Sequence, residues 1–442
     1  LPETLFYFLD FEIPSSCIFT FSLFIKFTSN NAAMEQVIGP FTQIVTFKQT
    51  ALKGPLQASD MGIVEDAGVR VDSGVIVEVG PFERLVKNKA SPQVMEISGS
   101  HVLMPGLVDC HTHMVWAGSR AADFERRNSG LSYQEILASG GGILDTVKWV
   151  GQATKGNLKE DLHQRILRHQ SDGVTTQEIK SGYGLDAENE LKMLEVIHEV
   201  NREVKVDLIP TFLGAHVCPK GYERADYLDY LLAEVAPKAK LLADRADAFI
   251  EAEAFPVHLA KPYLMAMKNL GFDLTLHADQ FSSGGAALAI LMGAKSADHL
   301  EATTSKDIAL FRTSNTVAVV LPGASLGLGM AFAPTRALLD AGACLAIASD
   351  WNPGSAPNGD LLAQCGILAA HQKLTTAETF SGITFRAAHA LGLTDRGRLA
   401  PQYLFDAIAF PTHDYREILY QQGTLKPDML WKKGDLLIKS TN

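Results

Sequence analysis

Short apolar runs alternate with stretches of helical spacing through the middle of this 442-residue chain, and that alternation restricts its fold more than any other feature. The runs are LVDCHTH from Leu107, GVTTQEIKS from Gly173, VDLIPTFLG from Val206, DAFIEAEAF from Asp247, FDLTLHAD from Phe272, SADHL from Ser296, TVAVVLP from Thr316 and CLAIASD from Cys344. Segments such as AENELKMLEVIHEVNREV and GDLLAQCGILAAHQKL separate them. Near-continuous apolar strands joined through helices make a parallel sheet buried on both faces. Eight such units over roughly 250 residues match a (β/α)8 barrel. An α/β fold with a TIM-like barrel is therefore expected over residues 104–399.

The flanks read differently. Residues 34–103 contain strand and turn patterns (QIVTF, GVRVDSGVIVEVG, VMEIS), and 400–442 repeat them (LFDAIAFP, KKGDLLI). Both ends are expected to join in one small β-rich, sandwich-like domain. Residues 1–33 precede the first methionine, Met34, and are apolar and aromatic. They lack a basic leader region, and their uncharged apolar stretches are too short to span a bilayer. They are expected to be a non-native or disordered extension.

Composition excludes some partners. The formal net charge of −11 argues against broad nucleic-acid binding, which needs a basic surface. A small anionic substrate is compatible with it, since one buried arginine outweighs a distant acidic surface. Cys17, Cys110, Cys218, Cys344 and Cys365 show no CxxC spacing and read as free thiols in a reducing cytosol. No membrane association is expected.

Polar residues gather where the barrel runs end: His111 and His113, Lys180, His216, His277, His299 and Asp350. That end carries the chemistry in barrels of this kind. Side chains alternate with period two along a strand, so His111 and His113 project to one side and Cys110 to the other. A third nitrogen from His277 and a carboxylate from Asp350 complete a donor set for one catalytic divalent ion. Lys180 is expected to sit in a buried ion pair with Glu178 or a neighbour. The proton of an attacking water falls to His299 or Asp350. Gln280 cannot be a base, but its amide can orient a ring nitrogen or a carbonyl. Arg120 offers a planar fork to a carboxylate.

With these residues placed, the chain resembles the amidohydrolase superfamily, and within it the imidazolonepropionases. The likeness runs from about residue 60 to 435 and is closest at PGLVDCHTHMVWAGSR, SYQEILASGGGILDTV, EIKSGYGLD, TFLGAHVCP, LHADQ, SADHLE, LPGA and ASDWNPGS. It implies opening of the ring of 4-imidazolone-5-propanoate by water to give N-formimino-L-glutamate, a step of histidine degradation. It implies zinc or iron on His111, His113, His277 and Asp350, and a homodimer. Substrate contacts are implied at Arg120, Tyr183, His216, Gln280, Asn352, Gly354 and Ser355, with Tyr133 nearby. His216 would donate a hydrogen bond to the ring carbonyl as the oxyanion develops. Some members carry glutamate where Gln280 stands, which leaves proton transfer here to His299 or Asp350. The competing expectations are a purine or pyrimidine deaminase on the same barrel, which gives Arg120 no partner, and a non-catalytic scaffold, which would not need all four ligands.

Overall fold

The computed structural model describes residues 35–87, 93–131, 135–136 and 141–439. The expectations for residues 1–33 and for Tyr133 lie outside the described residues. Five strands come first: β1 (Gln36–Ile44), β2 (Val64–Asp72), β3 (Val75–Pro81), β4 (Gln93–Glu96) and β5 (Val102–Pro105). The barrel follows with β6 (Leu107–Asp109), β7 (Val174–Lys180), β8 (Asp207–Ala215), β9 (Arg245–Ile250), β10 (Asp273–Ala278), β11 (Ser296–His299), β12 (Val317–Val320) and β13 (Leu345–Ile347). The chain returns through β14 (Ala407–Phe410), β15 (Met429–Lys432) and β16 (Asp435–Lys439).

Strands β6 to β13 pair in sequence order, each parallel to the next. The sheet closes just beyond β6 and β13. There the Asp350 N–H donates to the His111 carbonyl (3.1 Å), the His113 N–H donates to the Trp351 carbonyl (3.0 Å), and Thr112 bridges Trp351. All eight runs of the sequence pattern are strands of this barrel. Closure thus falls on the His-Thr-His segment itself, which brings His111 and His113 beside Asp350.

Several of the intervening helices are amphipathic and capped. Ala187–Glu203 buries Met193, Leu194, Ile197 and Val200 along one stripe, and Asp186 accepts the Asn189 N–H at its start. Thr154 and Asp360 cap Lys155–Ser171 and Leu361–Gln372 in the same way.

Both ends of the chain form a second sheet, ordered β16–β15–β14–β5–β1–β2–β3 with β4 on β1. The joint between the ends is antiparallel, with Ala407 opposite Pro105 and Phe410 opposite Val102. Its own core packs Ile38, Phe41, Val69, Phe405 and Trp431. Strand β1 starts seven residues before the QIVTF run. Gly39 and Pro40 hide its first half, because the pairing with β2 shifts register between Ile38 and Phe41 to accommodate them.

Candidate active site

The backbone is strained where the barrel strands end. Asp279, His299, Leu300 and Asp350 have φ of 55°, 89°, 73° and 51°. The left-handed region costs about 1–2 kcal/mol for a residue with a Cβ, and such strain gathers at functional sites. All four adjoin or are candidate site residues.

Side chains from the segments just past β6 and β13 converge with one from β10. His277 Nε2 is 3.2 Å from His113 Nε2. Asp350 Oδ1 is 3.6 Å from His111 Nε2 and 3.5 Å from His113 Nε2. Two buried carboxylates fix the rings. His111 Nδ1 meets Asp298 Oδ2 at 2.7 Å, and His277 Nδ1 meets Asp247 Oδ2 at 2.9 Å. Each carboxylate accepts the Nδ1 proton, which turns the Nε2 lone pair inward. Burial holds the rings neutral: it pushes His111 well below the usual histidine range and His277 down to about 4, although Asp247 pulls the latter back up. Burial also raises Asp350 to about 7, against the pull of His299 and the Asn352 amide. His111 Nε2 is buried and has no hydrogen-bond partner. Lone pairs facing lone pairs are unsatisfied unless a cation lies between them. The donor set of three imidazoles and a carboxylate therefore fits a divalent ion.

Below the ligands lies a layer that sequence reading passed over. Asp247 and Asp298 are acids within two of the barrel runs, DAFIEAEAF and SADHL, and the sequence pattern gives them no role. Lys180 is fully buried between Glu178 (2.6 Å) and Asp247 (2.9 Å). Burial pulls its ammonium down, but Asp247 and Glu178 outweigh that and hold it charged. Asp109 ties the closure together: its Oδ1 accepts the Ser349 N–H at 3.0 Å, and its Oδ2 lies 2.9 Å from His169 Nε2.

A cavity of about 120 Å³ opens above the ligands. His113, Arg120, Tyr183, His216, His277, Gln280, His299, Asp350, Asn352, Gly354 and Ser355 all line it, so the structure gathers every described residue expected there except His111, which lies deeper. Arg120 is not on a surface ion pair. It is 9% exposed, and its Nε donates to Oδ2 of buried Asp123, which also accepts the Gly142 N–H at 3.0 Å. That bond uses one edge of the guanidinium and leaves Nη1 3.4 Å from Thr146 Oγ1 at the cavity wall.

His216 departs from the donor role expected of it. Its Nδ1 donates to the Gly182 carbonyl at 2.9 Å, and burial beside His277 brings the ring down to about 3. A neutral ring with its proton on Nδ1 presents Nε2 as an acceptor. Gly182 has φ 112°, and a Cβ there would stand 2.9 Å from His216 Nδ1, so glycine is required for this contact. The loop holding Gly182 and Tyr183 is pinned by buried Glu190, which accepts the N–H groups of Gly182, Gly184 and Leu185 at 3.0, 2.7 and 3.0 Å. Asn352 is occupied within its own loop. Its amide donates to Asp350 Oδ2 (3.0 Å) and its carbonyl accepts the N–H groups of Gly354 and Ser355 (both 2.8 Å). His299 Nδ1 lies 3.6 Å from Glu301 Oε2. Burial pulls His299 down, while Glu301 and Asp350 raise it further, for a net rise. Arg127 was missed: its Nη2 donates to the Gly354 carbonyl at 3.1 Å, and only its place in the basic ERR triplet hinted at a role.

A barrel closed over three histidines and an aspartate, flanked by a sheet from both chain ends, is the architecture of the amidohydrolases. A model of the amidohydrolase family matches residues 231–437. Among solved structures, the atrazine chlorohydrolase of Arthrobacter aurescens complexed with zinc has a TM-score of 0.68 at 16% identity, covering 91% of this chain and 95% of that one. The adenosine deaminase of Xanthomonas campestris with bound zinc has a TM-score of 0.66 at 17% identity, covering 91% and 93%. Those two likenesses concern the fold. The imidazolonepropionase of Rubrobacter xylanophilus is 42% identical over 396 residues, 87% of this chain and 94% of its own length. The chain belongs to the imidazolonepropionase family.

Proposed function

We propose that this protein hydrolyses the cyclic amide of 4-imidazolone-5-propanoate to N-formimino-L-glutamate, with one divalent ion held by His111, His113, His277 and Asp350. What carries the reading is the convergence of three inward Nε2 atoms and a carboxylate oxygen beside a buried arginine. A divalent ion in such a set lowers the pKa of water towards ~7 and polarises a substrate oxygen.

The chain's own residues do the rest. Arg120, with its Nε committed to Asp123, turns its remaining N–H groups to the propanoate. Gln280 orients the ring through its amide. The Nε2 of His216 accepts from a ring N–H, and Tyr183 closes the same wall. Asn352 holds Gly354 and Ser355 in place beneath the substrate. Water adds to the ring carbonyl carbon, the C–N bond breaks, the water loses a proton and the leaving nitrogen gains one. His299 and Asp350, whose polar atoms lie within 4.8 Å of each other, are the groups placed to carry that proton.

Three imidazoles and a carboxylate suit zinc and iron alike, and metal analysis of the purified protein distinguishes them. The described cysteines are free thiols, as in a reducing compartment, and we assign the reaction to the cytoplasm. Among the described residues no helix is long and apolar enough to cross a membrane. We also propose a homodimer, to be checked by light scattering.

The deciding experiment supplies imidazolone propanoate and follows its ultraviolet absorbance with and without a chelator. The absorbance should fall only in the metal-loaded sample. A fully metallated protein that leaves the lactam intact overturns the reading.

A further inference from the structure

Lys180 does more than neutralise one acid. It closes β7 at 0% exposure, with Nζ 2.6 Å from Glu178 and 2.9 Å from Asp247. Each of these carboxylates also grips a segment bearing ligands. Glu178 Oε2 accepts the N–H of Thr112, the residue between His111 and His113, at 3.2 Å. Asp247 accepts both the N–H and the Nδ1–H of His277, at 3.0 and 2.9 Å. A third buried carboxylate, Asp298, holds His111 at 2.7 Å, and its Oδ1 has no hydrogen-bond partner.

Donor atoms of His111, Asp247 and Asp298 lie within 4.8 Å of one another, close enough to share a cation. Three carboxylates in so dry a place repel strongly, and the local field calls for positive charge. An ammonium supplies it with fixed position and no exchange with solvent.

We propose that the Lys180 ammonium is a built-in second cation, paired with Glu178 and Asp247 where a second divalent ion would bind, so that the site closes at one ion. Lys180 is then a positioning residue: through Glu178 and Asp247 it aligns the His111–Thr112–His113 segment and His277. The inference rests on the metal-dependent reading above.

The test counts ions. Wild-type protein, Lys180→Ala and Lys180→Gln are stripped with chelator, dialysed against excess zinc, and assayed for zinc per chain by mass spectrometry, with folding followed by circular dichroism. Wild type should hold one zinc and the variants two. A variant that is unfolded without zinc should fold as zinc is added. Two zinc ions in wild type, one or none in a folded variant, or variants that stay unfolded at every zinc concentration overturn the proposal. Wild type holding no zinc or iron at all sinks the underlying reading instead.

Discussion

Two buried charge networks occupy opposite ends of the barrel, and they are built on different rules. At the N-terminal end of β8, Asp207 meets Lys432 at 2.8 Å and also bonds Arg396, while Lys432 meets Asp406 at 2.6 Å. Arg396 Nη1 further reaches Thr176 Oγ1 at 2.9 Å. Every acid there has a base, and the bonds sew the terminal sheet and the segment before it to the barrel. At the C-terminal end the pairing is deliberately incomplete. His111 Nε2, Asp298 Oδ1, His299 Nδ1 and Glu301 Oε2 are buried without hydrogen-bond partners. Unsatisfied buried polar atoms cost about 1–3 kcal/mol each, so four gathered at one end of the barrel call for a partner from outside the chain. The comparison teaches that complete pairing marks a structural joint, whereas directed lone pairs mark chemistry.

Breaking the incomplete network should have the largest effect. His277→Asn or Asp350→Asn should lower kcat/KM by about 10³-fold or more and reduce bound metal well below one ion per chain, as steady-state kinetics and metal analysis will show. Near wild-type rates would mean the convergence is not the reaction centre.

Next in size is the arginine at the cavity wall. Arg120→Gln removes a charge-assisted contact worth about 1.5–3 kcal/mol, so KM should rise about 10- to 100-fold with a smaller change in kcat. A deaminase acting on an uncharged ring would show almost no change in KM, which separates the two reactions.

The loop behind Tyr183 and His216 should respond less. Glu190→Gln keeps one oxygen for the N–H groups of Gly184 and Leu185 but turns an NH2 towards the Gly182 N–H, which the second carboxylate oxygen now accepts. A loss of about 1–3 kcal/mol in stability and a fall of about tenfold in kcat/KM are expected from denaturant melts and kinetics, with metal content unchanged.

The structural joint should show the smallest effect and leave the chemistry alone. Burial raises Asp207, but Lys432 and Arg396 outweigh it and hold the carboxyl at about 2. A folded pKa below the unfolded value of ~3.9 contributes stability that is full above that value and lost as pH falls towards 2. Partial exposure limits the contribution to at most about 2 kcal/mol. Asp207→Asn should therefore turn over substrate normally, melt earlier at pH 7, and lose less stability than wild type between pH 5 and 2.5. A variant with impaired turnover would show that the two networks are coupled.

The sequence by itself determined the barrel, because alternation of apolar runs and helical stretches is a local signal repeated eight times. It also determined the ligand candidates, since period-two spacing aims His111 and His113 to one side whatever surrounds them. Only the tertiary structure decided what those groups can do. The proton on His111 Nδ1 is set by Asp298, 187 residues away, and Arg396 reaches Asp207 across 189. Arg120 looked like a free fork until its neighbour Asp123 folded beneath it, and His216 looked like a donor until the Gly182 carbonyl took its proton. Periodicity states which way a side chain points. Tautomer, charge and pairing depend on partners that the chain brings together only when it closes, and no local pattern encodes them.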